Sequence, residues 1–187
     1  KKNGEYSVRN KVYLKDENGN LRKGKPITVL NGPFNQEGTE EVENLIGEGI
    51  FSFPKPKALL EYLLSFTIYE KENEIFLDFF AGSGTTGHAI SELNRDGKNR
   101  KFILIQIPEA TDPKSEAFKA GYKKISDITI DRNKRVVESL IEEKKNQQPD
   151  LFTNGHKEDA IKGLGFKVFK LVKSNFPRVE FAPDHKK

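Results

Sequence analysis

Apolar residues in this 187-residue chain gather in short runs separated by polar and glycine-rich breaks. The densest run, Ile75-Phe76-Leu77-Asp78-Phe79-Phe80, has the length of a buried strand. It leads into Ala81-Gly82-Ser83-Gly84-Thr85-Thr86-Gly87-His88, a small-residue turn that predicts a helix starting near Thr85. Ala89, Ile90 and Leu93 continue one face of that helix, and Asp96-Gly97 ends it. Lys101 to Ile107 is apolar except for Gln106, the pattern of a parallel strand covered on both faces. From Ile75 to Ile107 the chain has the length of a right-handed strand–helix–strand crossover.

The flanking segments are less regular. Residues 1–33 read as hairpin-like, with Asn18-Gly19 as the turn and Arg9, Lys11, Lys15, Arg22, Lys23 and Lys25 as either a solvated face or contacts to a DNA backbone. Thr39 is an expected N-cap for a helix to about Ile46, broken by Gly47 and Gly49. Phe51-Ser52-Phe53 is expected to be extended before Pro54, and Pro56 to sit at a helix start. Ala58, Leu59, Tyr62, Leu63 and Phe66 then form a stripe that reads mostly as core. Downstream, a short helix is expected over 114–120, and Asp127 is expected to cap a longer one carrying Ile130, Val136, Val137, Leu140 and Ile141. Lys123, Lys124, Arg132, Lys134 and Arg135 read as surface charge, with phosphate contacts as the weaker alternative. Glu142 to Thr153 reads as linker, and Gly165 to Leu171 alternates like a half-exposed antiparallel strand.

Composition narrows this only modestly. The absence of cysteine removes disulfide frameworks and thiolate metal sites and agrees with a cytoplasmic setting. The net charge of +4, from 32 basic and 28 acidic residues, permits nucleic-acid binding without requiring it. No apolar stretch approaches membrane-spanning length. Methionine is absent even at position 1, so the chain is expected to be a piece of a longer protein.

The glycine turn carries the chemistry. Gly82 and Gly87 have Walker spacing, but His88 and Ala89 replace the lysine and hydroxyl that hold phosphate and magnesium, which excludes that class. Gly82, Gly84 and Gly87 fit the dinucleotide fingerprint, which points to a nicotinamide-dependent oxidoreductase as an alternative. The third class is S-adenosyl-L-methionine, which is cationic and lacks phosphate. Asp78 at a strand end suits such a ligand better than a pyrophosphate. Gly82 and Gly84 would let it approach the backbone.

Asp78 through His88 resembles the S-adenosylmethionine loop of DNA amino-methyltransferases. Phe51-Ser52-Phe53-Pro54-Lys55-Pro56 resembles the segment that precedes that loop in these enzymes. Phe102 to Glu109 and Tyr122 to Ile128 are similar to the modification subunit of type III restriction–modification systems. The resemblance runs from about Gly38 to Leu171. It implies an α/β, Rossmann-like methyltransferase fold, present in part, with a small N-terminal β-hairpin region. Residues 1–37 would end a target-recognition region, 38–141 would form the cofactor-binding core, and 142–187 a linker and C-terminal strand.

The implied activity is DNA adenine-N6 methylation. The implied cofactor site is Phe51, Ser52, Phe53, Pro54, Lys55, Pro56, Asp78, Phe79, Phe80, Ala81, Gly82, Ser83, Gly84, Thr85 and Thr86. Many relatives place an acidic residue near Gln106 to hold the ribose, and this chain offers Gln106 or Glu109 instead. Implied partners are double-stranded DNA, a restriction subunit and a second copy of the chain. A non-catalytic assembly module is a further alternative. The family's Asp/Asn-Pro-Pro-aromatic loop, which grips a flipped base, has no counterpart here, since no Pro-Pro occurs. It is expected to lie outside this chain. His88 and His156 read as structural or exposed.

Overall fold

A computed structural model describes residues 29–66, 74–147 and 163–173. The expected hairpin, His156 and most of the C-terminal extension lie outside the described residues. The chain divides into two compact units, Lys1–Pro33 and Phe34–Lys187, and the second carries the glycine turn.

At the centre of this second unit, among the described residues, is a two-stranded parallel sheet. Strand β1 (Ile75–Asp78) pairs with β2 (Lys101–Leu104), in register from Ile75 opposite Lys101 to Asp78 opposite Leu104. Helix α3 (Thr85–Leu93) connects them, followed by a 3₁₀ turn over Asn94–Asp96. The parallel pair is as expected. Its coverage is not: Ile75, Leu77 and Ile103 are at least half exposed, while Phe76 and Phe102 are partly buried. Helix α3 packs on the sheet, and nothing among the described residues buries the opposite side.

Helix α1 spans Asn35–Ile46, earlier than predicted. Glu37 sets that start, its carboxylate accepting the Phe34 N–H at 2.8 Å, while Thr39 bonds back to the Asn35 carbonyl from mid-helix. Helix α2 (Lys57–Ser65) follows Pro56, as expected, but none of its residues is fully buried and Leu63 is exposed. Its apolar stripe is therefore not core. Tyr62 and Phe66 instead meet edge-to-face with centroids 4.7 Å apart.

Short helix α4 (Glu116–Lys119) is capped by Ser115, whose hydroxyl accepts the Phe118 N–H. Helix α5 runs over Ile125–Gln147. Asp127 reaches back from its first turn to the Lys124 N–H at 3.0 Å. The helix passes the predicted boundary at 142, because Glu142 to Lys145 are good helix formers and Glu143 is tied to Arg95 at 2.6 Å. Residues 165–171 form no strand, since a strand needs a partner and none is paired there; Phe166 rests 6.5 Å from the Phe102 ring.

The core lies between α1, α4 and α5. Val42, Ile46, Ile50, Ala117 and Ile128 are buried together, with Leu45, Phe51, Tyr122 and Ile125 packed around them. Phe51 thus anchors the start of the Phe51–Pro56 segment in the core.

Candidate functional site

The turn after β1 is held by its own polar groups. One Asp78 oxygen accepts the Phe80 N–H at 2.9 Å and the other accepts the Thr86 hydroxyl at 2.6 Å. The Ala81 N–H reaches the Ile105 carbonyl at 3.1 Å and the Gly84 N–H the Ala81 carbonyl at 2.7 Å. The turn is therefore fastened to the end of β2. Asp78 stays partly exposed at the strand end, and each of its oxygens retains acceptor capacity.

Gln106 is committed to the same fastening. Its side-chain oxygen accepts the Gly82 N–H at 2.8 Å, and its amide donates to the Ile107 carbonyl. Glu109 is exposed, and its carboxylate has no hydrogen bond or ion pair among the described residues.

The two glycines differ in what they do. At Gly82 (φ 52°) a Cβ would meet the Phe51 ring at 3.4 Å and the Phe80 carbonyl oxygen at 3.8 Å, ordinary contact distances. Gly84 (φ 83°) is buried, and a Cβ there would overlap the Asn133 amide and stand 3.1 Å from the Thr129 carbonyl. The close approach that calls for glycine at position 84 is that of α5. Gly87 likewise packs on Asn133 and Leu104.

The Phe51–Pro56 segment lies against this turn. Thr85 donates its hydroxyl to the Lys55 carbonyl at 3.1 Å. Pro54 and Pro56 are fully buried over Gly38, where a Cβ would come within 2.5 Å of the Pro54 carbonyl oxygen. Ser52 and Lys55 are exposed. Phe53 is 82% exposed and holds a φ of 56°, a left-handed backbone that a bulky residue adopts only at a cost. Phe79, Phe80 and Ile107, in the loops after the two strands, are also exposed.

One residue at the site was read wrongly from the sequence. Arg132 of α5 is fully buried. Its Nη1 donates to Ser83 Oγ at 2.9 Å and Thr85 Oγ1 at 2.8 Å. Its Nη2 donates to Glu41 Oε2 at 3.1 Å and His88 Nδ1 at 3.2 Å. Burial lowers the guanidinium to about 10, opposed by Glu41, so it is cationic at neutral pH. Sequence periodicity contains a signal for it: Ile128, Arg132, Val136 and Leu140 recur every four residues on one apolar stripe, a position a surface charge would avoid.

This arrangement fixes the hydroxyl protons. Thr85 gives its only proton to Lys55 and accepts from Arg132, so Ser83 donates to Thr85 at 3.1 Å. Ser83 and Thr85 are therefore turned inward and occupied, and Ala81 is also buried.

His88 must accept at Nδ1, because Arg132 can only donate. Its Nε2 faces Glu92 at 3.8 Å. Burial pushes the His88 ring below its ordinary value and outweighs the pull of Glu92. Glu92 is held down to about 2 by His88, then by Arg95 and Lys57. The two shifts pull against each other, and burial decides at His88: the ring is neutral at pH 7 and offers Glu92 an N–H dipole, while Arg95 and Lys57 supply the charge.

A crevice lined by Glu41, Leu45, His88, Glu92, Val136 and Ser139 includes none of the predicted cofactor residues.

The sequence model of the N6/N4 methyltransferase family, described as DNA methylase, matches residues 2–148. The chain is 39% identical over 143 residues to the type III restriction-modification enzyme StyLTI Mod subunit of Salmonella typhimurium, covering 70% of this chain and 22% of that protein. It is 38% identical over 125 residues to the type II methyltransferase M.KpnI of Klebsiella pneumoniae, covering 65% of this chain and 29% of the relative. A 38% match over 121 residues to the EcoPI Mod subunit of Escherichia phage P1 covers 63% and 18%. The chain thus spans less than a third of the length of these curated relatives. The resemblance read from the glycine turn and its flanking segments is borne out: the chain belongs to the DNA methylase family.

Proposed function

We propose that this chain is the S-adenosylmethionine-binding part of a site-specific DNA adenine-N6 methyltransferase of the type III modification kind. The observation that carries the reading is the convergence of the Phe51–Pro56 segment and the glycine turn, joined by the Thr85–Lys55 bond, around the end of a parallel strand that terminates in Asp78. Ligands of open parallel sheets bind at such carboxyl ends.

The residues suit the cofactor chemically. Asp78 and Glu109 offer acceptors and negative charge to an ammonium, a sulfonium or ribose hydroxyls. Phe53, Phe79, Phe80 and Ile107 offer exposed apolar surface to an adenine ring or a methionine chain. Among the described residues the one arginine bonded to the loop is buried and committed, so it provides no counter-charge for a pyrophosphate. In this assignment Asp78 binds through its remaining lone pairs, Glu109 takes the ribose, and Gln106 shapes the turn. Gly82 gives backbone access, while Ser83, Gly84 and Thr85 act through packing.

S-adenosylmethionine, when bound, supplies an electrophilic methyl group. The residues of this site hold and orient it. They include no Pro-Pro loop to grip the acceptor base, so acceptor alignment has to come from elsewhere. Double-stranded DNA is the proposed substrate, and a restriction subunit and a second copy are the proposed partners.

The test is tritium transfer from labelled S-adenosylmethionine to adenine-containing duplex DNA. The longest gene product containing this sequence is expected to transfer label, and the 187-residue chain alone is not. Absence of transfer by the former, or robust transfer by the latter free of longer product, contradicts the reading.

A further inference from the structure

The cofactor site has two walls, the glycine turn and the Phe51–Pro56 segment, that are separated in sequence and held by different helices. Direct polar contact between them is sparse: Thr85 to the Lys55 carbonyl is the hydrogen bond that crosses. Behind it stands Arg132. One guanidinium nitrogen holds both turn hydroxyls, Ser83 and Thr85. The other holds Glu41, whose carboxylate accepts the Lys57 N–H at 3.0 and 3.1 Å, immediately after Pro56. Glu41 therefore fixes the exit of one wall, Arg132 the interior of the other, and the planar fork sets the spacing between them.

We propose that Arg132 is a positioning residue: through Glu41 and the Ser83–Thr85 hydroxyl pair it sets the spacing of the two walls that receive S-adenosylmethionine. This rests on the cofactor reading above. Its chemistry requires arginine. Lysine keeps the charge but has a single nitrogen and cannot hold the hydroxyl pair and the carboxylate at fixed separation. In the wild type the bond directions leave no alternative arrangement, because Thr85 has one proton and Arg132 has no acceptor. Without the fork, Thr85 is free to turn from Lys55, and the Phe51–Pro56 wall loses its register on the turn.

Calorimetry with S-adenosylmethionine and backbone amide exchange over 51–57 and 82–88 test this on the longest gene product containing the sequence. Arg132→Lys is expected to raise Kd about tenfold or more, the scale of one lost hydrogen bond to a charged group, and to increase exchange in both segments together. Stoichiometry per total protein should stay unchanged. A purely structural role would lower the stoichiometry and leave Kd alone, which would overturn the proposal. Glu41→Gln keeps the shape but removes the charge, and should give a smaller rise in Kd and a matching loosening of 51–57. It serves as the test if Arg132→Lys does not fold. Unchanged Kd and unchanged exchange in a folded Arg132→Lys protein also overturn the proposal. If the wild type binds no S-adenosylmethionine yet Arg132→Lys loosens both segments together, the cofactor reading fails and the coupling of the walls stands. If exchange in Arg132→Lys rises in one segment only, the coupling fails whatever binds.

Discussion

Replacing Gly84 with alanine tests whether the glycine turn is built for α5 or for a ligand. Two costs arise at that position. The first is conformational: Gly84 has φ 83°, a left-handed backbone that costs an L-residue about 1–2 kcal/mol. The second is steric: the new Cβ overlaps Asn133 Nδ2 and stands 3.1 Å from the Thr129 carbonyl oxygen. Asn133 would have to leave the Gly84 carbonyl, which it holds at 3.2 Å, and the Thr129 carbonyl at 2.9 Å. Overpacking of this kind costs about 1–3 kcal/mol, and a displaced hydrogen bond about 1 kcal/mol. The terms overlap, so the total should be about 3 kcal/mol. Gly97 is the control: it has φ 84° but nothing within 4 Å of the missing Cβ. Gly97→Ala should therefore show the conformational cost alone. Urea unfolding followed by far-ultraviolet circular dichroism should place Gly84→Ala about 1–2 kcal/mol below Gly97→Ala. Equal losses would mean that α5 does not press on the turn, and that the space at Gly84 serves something else.

Three further outcomes rest on the same contacts. Gly38→Ala places a Cβ within 2.7 Å of backbone atoms of Pro54, Lys55 and Pro56, so it should cost about 1–3 kcal/mol in urea unfolding and weaken S-adenosylmethionine binding; a neutral result would detach the segment from α1. Stability should fall as pH drops below 6.5, the ordinary His88 value, because the folded state keeps the ring neutral while the unfolded chain takes up a proton. Arg132, Glu92, Lys57 and Glu41 all face that ring, and His88→Gln should flatten this limb of the stability profile. The contribution of Glu92 is full above its ordinary 4.5 and lost as pH falls toward about 2, so a second acid limb should shrink in His88→Gln, persist there through Arg95 and Lys57, and disappear in Glu92→Gln.

The parts legible in the sequence are those whose cause is local. Gly82, Gly84 and the apolar run before them specify strand, turn and helix within a dozen residues or so, and Lys101 onward supplies the partner strand. The Phe51–Pro56 segment could be placed at the site only through family resemblance, because its contacts are with Gly38 in α1 and Thr85 in α3. Arg132 looked exposed because its neighbours Asp131, Lys134 and Arg135 are charged, and its partner Ser83 lies 49 residues away. Burial of the sheet was overestimated for a related reason. Ile75, Leu77 and Ile103 are as apolar as two-sided coverage would require, but coverage is a property of the surrounding layers, and among the described residues those layers reach one side. Glu142 to Lys145 were misread because polarity was equated with loop, although these residues favour helix.

Everything proposed for this site depends on the end of β1 receiving S-adenosylmethionine at Asp78. Titration calorimetry on the longest gene product containing this sequence, wild type against Asp78→Ala, tests it most directly, with NADH as the competing ligand. S-adenosylmethionine should bind, NADH should not, and Asp78→Ala should lose at least ~1.5 kcal/mol of binding, the scale of a charge-assisted hydrogen bond. NADH binding in place of S-adenosylmethionine, or unchanged affinity in a folded Asp78→Ala protein, would contradict it.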